Sequence, residues 1–281
     1  MNFSTSRIWN ESVILRYSFD KIKKIGNLYF YDDQNILKCQ HFFNFEISPN
    51  ELEELKNQLN NGKILKFNYL NDSTLLEKLE LWIKENGFKC KIIDEWEAPI
   101  LRLSDNKNIE EYFSSSNHSQ ICRNYKLYCK NQKNYKFYNS SNIDPLTLWN
   151  YVLEIDYNSW KKVEKSDMKS LNREDLQYLP FLLMNKENSN LVVICDLEDK
   201  PLAYSLMFKS DNYWYAVKWG ASNDGRKKYA GFYCLFSHLK YLYSLNPNLN
   251  VDFWGRRNST YDKLRNDFIK RKHILISKKE V

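Results

Sequence analysis

An α/β (α+β) chain in two halves is what this sequence predicts, and three observations carry the prediction. The first hundred residues alternate short strand-like runs with amphipathic helical segments. Residues 190–220 then hold three successive β-rich runs separated by short turns, the pattern of an antiparallel meander. A basic turn, "GRKKYAG", follows the meander and opens a long apolar helix. A chain of 281 residues accommodates one large domain or two modest ones. The shift in pattern divides it into residues 1–103 and 104–281.

In the first half, "NLYFYD" and "ILKCQHFFNFEI" are aromatic and β-branched runs that suit strands. "SPNELEELKNQLNNG" reads as a helix, with Ser48 as N-cap, Pro49 at the first position, acids in the first turn and Gly62 as the stop. "KILKFNYL" is a strand. "NDSTLLEKLELWIKENG" is a second helix, with Leu75, Leu76, Leu79, Trp82 and Ile83 on one face and Gly87 at its end. "FKCKIID" reads as a strand and "EWEAPILRLS" as the linker and entry strand into the second half.

The second half opens with a helical stretch, "NIEEYFSSSNHSQICRNYKLYCKNQKN", then a strand, "YKFYNS". Asp144 and Pro145 start an amphipathic helix in "DPLTLWNYVLEIDYNSWKK". "MKSLNREDLQYLPFLLMNKEN" is a further helix, with a bend expected before Pro180. The meander "NLVVICDLE", "KPLAYSLMFKS" and "NYWYAVKWG" follows, then the basic turn, the long helix "FYCLFSHLKYLYSL", the strand "NVDFW" and a last helix.

Composition narrows the classes. Hydrophobic residues make up 43% and aromatics 16%, which is globular composition. No run of about 18 apolar residues exists, and the N-terminus lacks a secretory pattern. The six cysteines fall in no Cys-x-x-Cys pair, which predicts free thiols and a cytoplasmic setting. A net charge of +7 favours an anionic partner such as a phosphate-bearing cosubstrate, a nucleic acid or an acidic surface.

Gly220, Gly225, Gly231 and Gly255 are four of only seven glycines in the chain. Gly231 opens the long helix just after Arg226, Lys227, Lys228 and Ala230. Unpaired N–H groups and partial positive charge at such a helix start suit a pyrophosphate; the alternative is a solvated basic turn. No P-loop, Gly-x-Gly-x-x-Gly or Gly-x-Ser-x-Gly appears. His118 and Cys122 share a helix face, but no second pair completes a ligand set, so no metal is expected. Asp252 is the polar residue of an apolar strand, followed by Tyr261 and Lys263 on the next helix. Such a carboxylate can hold or deprotonate an amine, a tyrosine can return a proton and a lysine can fix an anion. Asp252 in an ion pair with Arg256 or Arg257 is the competing reading.

A meander, a basic glycine turn, a long helix and a further strand together resemble the core of the acyl-CoA N-acyltransferase (GNAT) fold. The stretch "ILKFNYLNDSTLLEKLELWIKENGFKCKIIDEWEAPILRLS" resembles the middle of the FemAB-like, or BioF2-like, acetyltransferase family. "EIDYNSWKK" is similar to that family's tryptophan-lysine motif, "KKYAGFYCLFSHLKY" to its turn and helix, and "VDFWGRRNSTYDKLRNDF" to its ending. Ala230 departs from the family's proline before the glycine, and the basic helix keeps only Arg123 where relatives carry several arginines.

The resemblance implies tandem GNAT-like units, the first degenerate and the second catalytic. It implies acyl-CoA as cosubstrate, bound by Trp219, Gly220, Arg226, Lys227, Lys228, Ala230 and Gly231. Trp219 or Gly220 would offer a backbone N–H to the thioester carbonyl. Asp252, Tyr261, Lys263, Trp160 and Lys161 would line the acceptor site. The expected reaction is N-acyl transfer from acyl-CoA or an acyl carrier protein to a primary amine on a small molecule, amino sugar or peptide. A Fem-type ligase drawing on aminoacyl-tRNA is a second reading, since "RNYKLYCKNQKNYKFY" interleaves cations and tyrosines. A non-catalytic binding module on a decayed transferase fold is the third.

Overall fold

The computed structural model describes residues 21–39, 47–71, 74–103, 108–115, 118–159, 171, 173–210, 212–254 and 260–279. It forms two compact units, Met1–Ala98 with Phe268–Val281, and Pro99–Asp267. The chain therefore crosses between units twice, whereas a single cut at 103/104 provides for one crossing.

The first unit is mixed α/β. Strands β1 (Ile22–Ile25), β2 (Leu28–Asp33) and β3 (Ile36–Cys39) are antiparallel neighbours. Helix α1 (Pro49–Asn60) carries the chain to β4 (Ile64–Asn71), which pairs with β3 in parallel. The second half of the expected run 36–47 falls mostly on residues 40–46, outside the described residues. Helix α2 (Thr74–Glu85) leads to β5 (Lys89–Arg102), and the order is β1-β2-β3-β4-β11-β5, with β11 at Asp267–Ser277. Leu55 and Leu59 of α1 and Leu76, Leu79, Trp82 and Ile83 of α2 join Phe30, Phe67, Ile274 and Ile276 in one core. The apolar face read for α2 is thus buried at Leu76, Leu79, Trp82 and Ile83.

Two elements differ from expectation. "FKCKIID" and the residues read as a linker form one 14-residue strand, β5. The residues after the last helix form β11, paired antiparallel with β4. Polar residues at Lys270, Arg271, Lys272 and His273 interrupt its alternation, which disguises it as a tail.

In the second unit the strand order is β5-β10-β9-β8-β7-β6, with β10 at Asn250–Asp252. Strands β7 (Ser189–Cys195), β8 (Pro201–Ser210) and β9 (Tyr213–Ala221) form the expected antiparallel meander, with β6 (Lys136–Asn139) beyond β7. The expected helical stretch 108–134 is two helices, α3 (Ile109–Ser114) and α4 (Ser119–Asn131). Helix α5 (Pro145–Tyr157) starts at Asp144, whose carboxylate accepts the Thr147 N–H at 3.0 Å. Helix α6 (Arg173–Met184) keeps Pro180 inside it.

Alternation along β8 separates two faces. Ala203 and Met207 enter the core of α8 (Ala230–Leu245), and Ser205 lies 2.9 Å from Nδ1 of His238 on that helix. Tyr204, Leu206 and Phe208 point the other way, where α5 and α6 pack.

Candidate active site

The site begins where two parallel strands part. Strand β10 (Asn250–Asp252) pairs with β9 only at Trp214 and Tyr215, while β9 continues to Ala221 against β8. The β8–β9 register slips at the same place: Leu206 faces Lys218 and Met207 faces Ala216, which leaves Val217 as a bulge. A bulge beside a parting of strands turns backbone polar groups into the gap. Sequence could not reveal it, because "YAVKWG" has neither glycine nor proline at the bulged position.

Beyond β9 the chain enters the basic turn, which contains a one-turn helix, α7 (Asn223–Lys227). Ser222 caps it, accepting the Gly225 N–H at 3.1 Å, and donates to the Leu202 carbonyl at 3.2 Å. A Cβ on Gly225 would stand 2.1 Å from that carbonyl oxygen, so only glycine lets the turn close onto β8. Arg226, Lys227 and Lys228 are exposed. Asp224 pairs with Lys200 at 2.6 Å; that hydrogen-bonded contact, with Lys227 and Lys228 adding to it, holds its carboxyl below the usual range.

Helix α8 starts at Tyr229, whose φ of 59° lies in the left-handed region and whose side chain caps nothing. The N–H groups of Ala230 and Gly231 have no acceptor among the described residues. Trp219 leans over this start: its Nε1 donates to the Gly231 carbonyl at 3.1 Å, and a Cβ on Gly231 would meet its ring at 2.9 Å.

After β10, Phe253 stacks on Tyr261 at 4.9 Å, and Tyr261 lies 6.2 Å from Trp219. Tyr261 stands on α9 (Tyr261–Leu264), a single turn where a longer helix was expected. Burial pushes its hydroxyl up to about 12. Lys263 donates to Oε1 of Gln120 on α4. The structure thus brings Trp219, Ala230, Gly231 and Tyr261 together at the α8 side, with Arg226, Lys227 and Lys228 on the turn before it.

Asp252 stands on the opposite face. It faces Tyr215, which faces Phe208, so these side chains share the α5–α6 side. Asp252 is buried, and its Oδ1 accepts the Trp254 N–H at 2.7 Å. Gly220 lies against Tyr204 on this face, where a Cβ would come within 2.6 Å of the Tyr204 ring. Trp160 and Lys161 lie outside the described residues, as do Gly255, Arg256 and Arg257.

Sequence reasoning missed Lys218, Asp175 and Tyr204. Lys218 Nζ meets the buried Asp175 carboxylate on α6 at 2.6 Å. Burial, then the charges of Asp156 and Asp175, raise the Tyr204 hydroxyl well above its ordinary value. The only sequence signal was a lysine within an otherwise apolar strand. Among the described residues, no group of three or more His, Cys, Asp or Glu is placed to hold a metal ion. No described helix is long and apolar enough to cross a membrane.

No family model matches this sequence, and a search of curated proteins returned no match. Solved structures do match. A conserved protein of unknown function from Bacteroides thetaiotaomicron superposes with a TM-score of 0.64 at 12% identity, covering 98% of this chain and 92% of its own. L-PGS from Bacillus licheniformis gives 0.60 at 13% identity, with 90% and 81% covered. FemX gives 0.59 at 13% identity, with 88% and 83% covered. At such identities the likeness speaks for architecture alone, and the architecture agrees with the meander, turn and helix built above. The chain has a FemAB-like GNAT fold.

Proposed function

We propose that this protein is an N-acyltransferase that moves an acyl group from an acyl-CoA, or an acyl carrier protein thioester, to a primary amine. The observation that carries the reading is the alignment of three features along β9: the gap at Val217, the basic turn and the uncapped start of α8. The residues present fit the donor. Two acceptorless N–H groups at Ala230 and Gly231 suit a pyrophosphate, and Arg226, Lys227 and Lys228 add positive charge. Trp219 and Gly220 border the path from that start back to the gap.

The thioester supplies an activated acyl carbon. The backbone at the Val217 bulge takes over the polarising role that sequence reasoning gave to Trp219 or Gly220, because this is where β9 loses β10 as a neighbour. The amine lone pair forms the C–N bond, the C–S bond breaks and sulfur leaves with its electron pair. Tyr261, protonated because its hydroxyl is pushed up to about 12, gives that sulfur its proton. Asp252, on the opposite face, takes the proton that the amine loses and passes it to solvent, and Tyr261 regains a proton from solvent, so the proton count closes. Lys263, held by Gln120, stands by an anionic portion of the donor. In this reading the second unit is the catalytic half and the first a degenerate partner half.

Calorimetric titration with coenzyme A and acetyl-CoA tests the proposal. Micromolar binding that Gly231→Asp abolishes is the expected result, because a carboxylate there opposes the phosphate and its Cβ meets Trp219. Absence of binding to the natural chain would turn the reading toward an aminoacyl-tRNA donor or a non-catalytic module.

A further inference from the structure

Asn124 on α4 has no exposed surface, and neither its side-chain carbonyl oxygen nor its amide nitrogen has a hydrogen-bond partner among the described residues. Buried polar atoms left in that state cost free energy, so they mark a place that a ligand or an ordered water completes. The residue is the middle member of an i, i+4 row, Gln120–Asn124–Tyr128, along one face of α4. At one end of the row Gln120 accepts from Lys263 of α9. At the other the Tyr128 ring lies 5.8 Å from Tyr233 and 5.9 Å from Phe236, both on α8. Asn124 therefore faces the seam where α4 meets α8 and α9.

Both sides of this seam lead to the start of α8. On α8, Phe236 is 6.1 Å from Phe232, which is 6.4 Å from Trp219. On α9, Tyr261 stands two residues before Lys263 and is 6.2 Å from Trp219. Trp219 is the indole that donates to the Gly231 carbonyl. The chemistry of the amide selects what completes it. A phosphate accepts but does not donate, which leaves the Asn124 carbonyl unpaired, and a hydrocarbon pairs with neither atom. A secondary amide has one N–H and one C=O, and an asparagine side chain engages both at once. The pantetheine arm of an acyl thioester carries two such amides joined by short apolar segments, which suit the rings of Phe232, Phe236 and Tyr261.

We infer that Asn124 binds a secondary amide of the donor's pantetheine arm at the seam between α4, α8 and α9. The inference rests on the acyltransferase reading and deepens it: the arm is recognised by a buried side chain, apart from any phosphate held at the basic turn. Coenzyme A and a carrier protein present the same arm, so both are read at Asn124. Entry requires the seam to open, and the Lys263–Gln120 contact is a polar link that spans it.

The test titrates coenzyme A, pantetheine (the arm without the nucleotide) and ADP (a pyrophosphate without the arm) into the full natural chain and into Asn124→Leu. Coenzyme A is expected to bind the natural chain more tightly than ADP does. In Asn124→Leu it binds at least tenfold more weakly, while ADP stays within twofold of its natural affinity. The melting temperature of that variant is unchanged or higher, because leucine removes the unsatisfied polar atoms. Asn124→Asp, which keeps the shape and loses the amide hydrogens, repeats the loss of coenzyme A affinity. A lower melting temperature or failure of Asn124→Leu to fold would make the amide a structural one and overturn the inference. An unchanged preference for coenzyme A over ADP in a folded Asn124→Leu would overturn it too. Coenzyme A binding that Gly231→Asp abolishes and Asn124→Leu leaves intact sinks this assignment alone. Pantetheine binding that Asn124→Leu abolishes, without coenzyme A binding, keeps the assignment and makes the donor a carrier protein. Binding of neither to the natural chain sinks the thioester reading and this inference with it.

Discussion

His238 has no exposed surface, its Nδ1 meets Ser205 and its Nε2 has no partner. It stands on a long helix rich in aromatics and is buried in the core. Burial lowers its pKa to about 3, against an ordinary 6.5, and the Ser205 contact offsets only part of that. The unfolded chain therefore binds more protons than the folded one between these values. The stability contributed by the neutral ring is present above 6.5 and is lost as pH falls toward 3. The slope reaches about 1.4 kcal/mol per pH unit for one such group. Urea unfolding at pH 7 and pH 4.5 should show the natural protein losing about 2 kcal/mol more than His238→Gln; parallel losses would contradict this account. Gly225 and Gly231 were legible as special residues from their rarity, but what they admit, a carbonyl in one case and an indole in the other, was not.

At the scale of elements, local chemistry was readable wherever the controlling partner lies within four residues. The capping of α1 is the clearest case, since Ser48 and Glu51 form the reciprocal box that their spacing suggests. The structure adds a longer contact: Glu51 Oε1 also accepts the Asn27 N–H at 2.6 Å, beside Gly26 with its φ of 57°. One buried carboxylate thus ties the helix start to the β1–β2 turn. Glu51→Ala should cost about 2 kcal/mol, more than the roughly 1 kcal/mol of Ser48→Ala, as measured by denaturant midpoints. Equal losses would mean that the Asn27 contact contributes nothing. The Val217 bulge is the opposite case, because a register slip is a property of two strands and only one of them can be read at a time.

At the scale of the molecule, the C-terminal strand decides how the first unit closes. Ile274 and Ile276 of β11 enter its core although about 200 residues separate them from the strand they pair with. Ile276→Ala should destabilise by about 2–5 kcal/mol, and a loss below 1 kcal/mol in thermal or denaturant unfolding would argue against a closed core there. The sequence by itself determined the mixed α/β class, the helices with their caps, the meander and the basic turn before the long helix. These follow from periodicity and capping, which act over one or two turns of chain. Only the tertiary structure decided that β11 joins the first unit, that β9 parts from β10 beside Val217, and that Lys218 meets the buried Asp175. Those arrangements depend on strand pairing and burial between distant residues, where the free energy belongs to the pair and no single stretch of sequence carries it.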